Sequence, residues 1–291
     1  MHKVRYEATL VRALEAMVPR WGPVLWRPLL EDFRPSPDPH MAAMFSALAD
    51  VEEVSFYMQV LIRRVGLTRL APVREFNALW LAEESEHARA MTEVAQRYGA
   101  KEHPRMRHTR SYRLLHSLSP STWIAATGLL PQVTLALYLA MGTLQEYVAL
   151  STYRILADMI GDPPVAEILR RIAQQEGRHM RFYRTGAIAV LEDDPVARRA
   201  VRHVVHTSWR PPGVDLFGLE GWVHTFRPLL SFPGAQARYL RMDDLAADLP
   251  GLQGVRAAER FLDDCRQIAP ELPPRQFTTF TRPELSRRSD A

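Results

Sequence analysis

Cysteine is nearly absent from this 291-residue chain, where Cys265 stands alone. No disulfide can form within it, which suits a reducing compartment and sets the expectation of a cytoplasmic protein. Lysine is almost as scarce: Lys3 and Lys101 are the only two, and arginine supplies the rest of the 37 basic residues. Codon usage in a GC-rich genome would by itself produce that skew. Attraction to an acidic partner is the functional alternative, at net charge +4 and pI about 9.4. No finger spacing, RNP motif or aromatic-basic platform accompanies the positive charge, so nucleic acid is not expected as a partner. A β pattern of useful length is missing throughout. So is an unbroken apolar run. The longest, 123–144, is interrupted by Pro131 and Gln132 and leads straight into Glu146. It reads as a buried core helix rather than a membrane span. The first seven residues contain no apolar h-region, and no signal peptide is expected.

What is present is helical periodicity. Apolar residues make up 47% and charged residues 24% of a chain long enough to bury a full core. Residues 3–18 read as an amphipathic helix. A Pro- and Trp-rich connector follows over 19–39 and is expected to pack through Trp21, Trp26, Leu29, Leu30 and Phe33. Long helices are predicted over 40–65 (stopped by Gly66), 72–98 (stopped at Gly99), 131–161 and 163–192. Between the second and third lies a mixed segment, 101–130, with Arg105, Arg107, Arg110 and Arg113. Shorter helices are predicted over 195–209, 215–230, 235–249 and 255–268. Beyond 270 the Pro-, Arg- and Ser-rich composition reads as a disordered tail.

Two strings stand out, Glu84-Ser85-Glu86-His87 and Glu176-Gly177-Arg178-His179. With 19 Glu and 10 His in 291 residues, chance supplies less than one Glu-x-x-His, and here two fall mid-helix. Positions i and i+3 share a helix face, so each pair can hold one metal ion. Each pair has a Glu 30 to 32 residues upstream: Glu146 for the second, and Glu52 or Glu53 for the first. At about 1.5 Å per residue, 15 residues up and 15 back return an antiparallel chain to the same height. Glu146 is the only acid between His103 and Ala157. An isolated carboxylate on an apolar helix needs compensation, and a metal supplies it. Glu52 shares its face with Phe45, Leu48 and Phe56, a more apolar set than that of Glu53, and is the preferred ligand. The candidate metal ligands are therefore Glu52, Glu84, His87, Glu146, Glu176 and His179, the donor set of ferritin-like di-iron bundles. The expected fold is all-α, a ferritin-like four-helix bundle with additional N- and C-terminal helices. It divides into a bundle over 1–210, a C-terminal helical extension over 211–269 and a tail over 270–291. His203 and His206, also at i and i+3, lie outside this pattern and read as exposed or packing residues.

The strings surrounding the ligands carry a family resemblance. Trp80-Leu81-Ala82-Glu83-Glu84-Ser85-Glu86-His87, Gln145-Glu146 and Arg171-Ile172-Ala173-Gln174-Gln175-Glu176-Gly177-Arg178-His179 resemble the motifs of the soluble acyl-ACP (acyl carrier protein) desaturases. The Glu52-Glu53 doublet resembles that family's first-ligand doublet. The match runs in order over about 40–200; where plant members often carry Thr, three residues after the third-helix Glu, this chain has Ala149. The resemblance implies an enzyme with two iron ions as cofactor and O₂ as co-substrate. It implies removal of two hydrogens from adjacent carbons of an acyl chain carried on ACP. A ferredoxin-type electron donor and a homodimer follow from it too. Phe56, Trp80, Tyr153 and Tyr183 become candidates for the substrate cavity. Arg170, Arg171, Arg181 and Arg184 become candidates for docking the acidic carrier. Two other readings remain open: an N-oxygenase or hydroxylase of an amine or carrier-tethered metabolite, and a non-catalytic ferritin-like iron-binding protein.

Overall fold

The computed structural model describes residues 2–22, 24–101 and 130–274, and every described element is helical or irregular, with no strand. Helix α1 spans His2–Met17 and α2 is a single turn, Arg27–Leu30. Next come α3 (Pro39–Glu53), α4 (Ser55–Arg64) and α5 (Ala71–Arg97). The two longest are α6 (Pro131–Met159) and α7 (Pro163–Asp193). Four shorter ones complete the chain: α8 (Pro195–Ser208), α9 (Val214–Ser231), α10 (Ala235–Ala247) and α11 (Ala257–Ile268).

Local chemistry sets these boundaries. Asp38 caps α3 by accepting from the His40 and Met41 amides, and Asp194 caps α8 through the Val196 and Ala197 amides. Proline stands in the first turn of α3, α5, α6, α7 and α8, where its missing N–H costs nothing. Gly99 (φ 95°) ends α5 in a left-handed turn, with the Ala100 amide reaching back to the Ala95 carbonyl at 3.0 Å. The buried Asp243 side chain accepts from the Ala258 and Glu259 amides and so closes the start of α11.

The expected helix over 40–65 is two helices. At Val54 the chain tightens into a bond from its amide to the Val51 carbonyl, and the Ser55 hydroxyl donates to the Glu52 carbonyl at 2.7 Å. A serine bonding back into its own helix competes with the ladder and bends it. The helix over 215–230 is likewise broken, at Gly218 (φ 69°, ψ 164°).

Helix α3 packs along α5, and α6 along α7, as two hairpins joined at the bundle core; α1 lies on α5 and α7. Helices α9 and α10 pack on the outside, against α3 and α6. The connector packs through Val24, Trp26, Leu30 and Phe33, whereas Trp21, 39% exposed, faces solvent. Helix α6 is long and apolar enough to cross a membrane, but 72% of its most apolar stretch is buried inside the protein, as the core-helix expectation requires. Residues 270–274, assigned to the tail, pack instead: Leu272 is buried and the Pro273 carbonyl accepts from Gln236. The rest of the expected tail, 275–291, and the basic segment from Arg105 to Arg113 lie outside the described residues.

Candidate metal centre

Two hairpins deliver six side chains to one height in the bundle. Glu52 comes from the last turn of α3, Glu84 and His87 from the middle of α5, Glu146 from α6, and Glu176 and His179 from α7. All six are buried. They form two groups, Glu52–Glu84–His87–Glu176 and Glu84–Glu146–Glu176–His179, and within each group one donor atom per residue lies within 4.8 Å of every other. Glu84 and Glu176 belong to both. Glu53 is only half-buried and belongs to neither.

Both imidazoles present Nδ1 to the carboxylates. His87 Nδ1 stands 3.1 Å from Glu176 and 3.7 Å from Glu52. His179 Nδ1 stands 3.2 to 3.5 Å from Glu176, Glu84 and Glu146. Each Nε2 points outward, to Gln175 Oε1 at 2.6 Å from His87 and to Glu83 Oε2 at 2.7 Å from His179. Glu83 also accepts from Arg178 at 3.0 Å and Gln175 at 2.9 Å. On the carboxylate side, the Trp80 indole N–H donates to Glu146 at 3.0 Å, and the Tyr153 hydroxyl donates to Glu52.

Burial and crowding determine the charges. Burial pushes Glu84 well above the carboxylate range, and Glu176 and Glu52 beside it add to the push. Burial, then Glu176, does the same to Glu146. For Glu176 burial acts upward too, but the imidazoles of His179 and His87 outweigh it and hold the group well below its ordinary value. Burial would lower both histidines; the carboxylates around them reverse this and raise both well above the usual imidazole value. So many titratable groups in one dry space are costly to bury alone and become favourable when cations occupy the centre.

The residues fit such cations. Glu84 Oε1, His87 Nδ1 and Glu176 Oε1 are buried without a hydrogen-bond partner and face the centre. A buried polar atom with no partner costs about 1–3 kcal/mol, which metal coordination removes. Carboxylate-rich donors with two imidazoles suit iron better than the thiolate or all-histidine sets of other metals.

The remaining expectations divide. Phe56 lies 52% exposed at the surface rather than on the site. Trp80 and Tyr153 hold carboxylates, as above, and Tyr183 packs edge-on to Phe76 (centroids 4.9 Å) with its hydroxyl 3.2 Å from that of Tyr138. The Tyr183 ring lies against the backbone of α6 because residue 142 is glycine: an added Cβ would come within 2.4 Å of it. Gly177, by contrast, has nothing within 4 Å of an added Cβ, and nothing in the structure explains its choice. Among the docking candidates, Arg170 and Arg181 are exposed. Arg171 pairs with Glu167 at 2.8 Å and Arg184 with Asp248 at 3.1 Å, so these two already have partners within the chain. His203 and His206 are exposed.

The sequence motifs contain Gln175 and Glu83 but assign neither a role. Both are 2 to 3% exposed. Their signal was helical phase, since Gln175 is four residues before His179 and Glu83 four before His87. A polar residue at that spacing from a ligand is placed to reach the facing helix.

A family model for fatty acid desaturases matches residues 37–220. No curated protein and no solved structure matches.

Proposed function

The chain belongs to the fatty acid desaturase family, and from that premise we propose that it is an O₂-dependent di-iron desaturase acting on an acyl chain carried on acyl carrier protein. One observation carries the reading: two groups of metal donors that share Glu84 and Glu176. A shared pair of carboxylates is what two ions held side by side require. Glu52 and His87 would complete one position, and Glu146 and His179 the other. Iron, when bound, supplies the O₂ reduction and one-electron chemistry that unactivated C–H bonds demand.

The chain's own residues prepare that chemistry. Burial of all six donors excludes bulk water. The Nε2 hydrogen bonds fix both rings so that Nδ1 faces inward. Tyr153 and Trp80 hold the terminal carboxylates Glu52 and Glu146 by one donated hydrogen bond each. The carrier, the ferredoxin-type donor and the homodimer follow from the resemblance to acyl-ACP desaturases. Arg170 and Arg181, eleven residues apart on α7 and so close in helical phase, are the docking cations still free of an acidic side chain.

The test is iron analysis followed by turnover. Purified protein reconstituted with ferrous iron is expected to hold about two irons per chain, and Glu146→Ala or His179→Ala to lose at least one. Acyl-ACPs incubated with the loaded protein, a ferredoxin system and O₂ are expected to lose two hydrogens by mass spectrometry. A gain of oxygen instead would move the assignment to a hydroxylase or N-oxygenase. Iron binding without oxidation of acyl chains or amines would leave an iron-binding protein. Full iron in both variants would remove the site itself.

A further inference from the structure

The two metal positions are matched in the types of their donors. Each has the two shared carboxylates, one terminal Glu and one imidazole presenting Nδ1. Each terminal Glu accepts one neutral donor, Tyr153 on Glu52 and Trp80 on Glu146. The imidazoles differ in what stands behind them. His179 donates to the Glu83 carboxylate, whereas His87 donates to the amide of Gln175.

The amide cannot turn over. Gln175 Nε2 has two acceptors, the Gly22 carbonyl at 2.6 Å and Glu83 Oε1 at 2.9 Å, so its oxygen must face His87. That keeps a His87 proton on Nε2, so that Nδ1 is the nitrogen that would donate its lone pair to an ion at the centre. A second carboxylate at position 175 would set an acceptor against both the Glu83 carboxylate and the Gly22 carbonyl. A neutral group is therefore what this geometry admits. An imidazole backed by a carboxylate is a stronger metal donor than one backed by an amide, and changing that partner shifts metal affinity by about 10- to 100-fold.

We propose that Gln175 is a positioning residue that makes the His87 side the weaker of the two metal positions, so that ions load in order, first at Glu146–His179 and then at Glu52–His87. This rests on the two-metal reading of the same site. It further ties the second position to the connector, because the same amide that orients His87 is anchored on Gly22, which lies between α1 and α2.

Anaerobic titration of the apoprotein with Mn²⁺, followed by electron paramagnetic resonance, reads the order directly. Wild type is expected to give an isolated-ion signal at the first equivalent and a spin-coupled pair at the second, with affinities about 10- to 100-fold apart. Gln175→Leu is expected to weaken the second step far more than the first, because Glu83 keeps its Arg178 donor and its bond to His179. Glu83→Gln is expected to weaken the first step and bring the two affinities together. Melting of each apo variant, followed by circular dichroism, separates loss of fold from loss of metal, because a folding defect weakens both steps equally. Two ions bound with one common affinity, or a Gln175→Leu variant that weakens both steps alike, overturns the ordering and leaves the two-metal site standing. Binding of fewer than two ions overturns the two-metal reading and this inference with it.

Discussion

Glu146 and Gly142 show at single-residue scale how the interior of α6 is used. Glu146 is the one acid on an apolar stretch, and it ends at the centre with a tryptophan N–H on one oxygen. Its solitude made it legible, because an unpaired buried carboxylate demands a partner that a solvated one does not. Gly142 gave no such signal. Its role exists only once the Tyr183 ring is laid across α6, a contact between residues 41 positions apart. Gly142→Ala would gain helix propensity of up to about 1 kcal/mol but force a methyl into an aromatic ring, an overpacking cost of about 1–3 kcal/mol. A net loss of stability is expected by chemical denaturation, together with a change in near-ultraviolet aromatic signal. A variant as stable as the parent would mean that the ring moves aside freely. Gln175 was hidden for a related reason: an amide is polar in any context, and only its two acceptors on other elements reveal which way it points.

At the scale of elements, turn and cap chemistry was the most readable layer. Prolines at helix starts and the left-handed glycines marked the long helices to within one or two residues. The misreading at 40–65 arose because hydrophobic phase runs through Val54 almost undisturbed, while the break depends on backbone bonds local to 51–55. Capping carries a measurable consequence at α8. Asp194 alone supplies the side-chain acceptors for its first turn, so Asp194→Ala is expected to cost about 1 kcal/mol. Asp194→Asn should recover most of it, since the amide oxygen can still accept. If thermal melts place Ala and Asn together, the cap contributes through charge on the helix dipole rather than through hydrogen bonds.

At the scale of the molecule, the hairpins α3–α5 and α6–α7 meet at mid-height in a cluster of buried titratable groups. Four carboxylates and two imidazoles, buried together without a cation, are a weak seam between them. Cations that bind only the folded state reverse this. At a free metal concentration 100-fold above Kd the gain is about 2.7 kcal/mol, which for a chain of this size raises Tm by about 5 °C. Calorimetry with and without Mn²⁺ is expected to show that rise, and a chelator to abolish it. An unchanged Tm at metal concentrations that saturate binding would mean that the centre is not part of the folding unit. The outer helices α9 and α10 brace α3 and α6 from outside, with α11 packed on both, and no feature of the site motifs foretold their placement.

The sequence alone determined the helical class, the hairpin spacing and five of the six candidate ligands, because helix period, turn chemistry and the i, i+3 relation act within short stretches of chain. It left Glu52 and Glu53 nearly equivalent; the packing of α3 on α5 put one in the centre and the other to the side. Which carboxylates are shared, which ring nitrogen faces inward, and what stands behind each imidazole were decided by tertiary structure. Those are relations between helices 60 to 100 residues apart, and no local periodicity encodes the angle at which they meet.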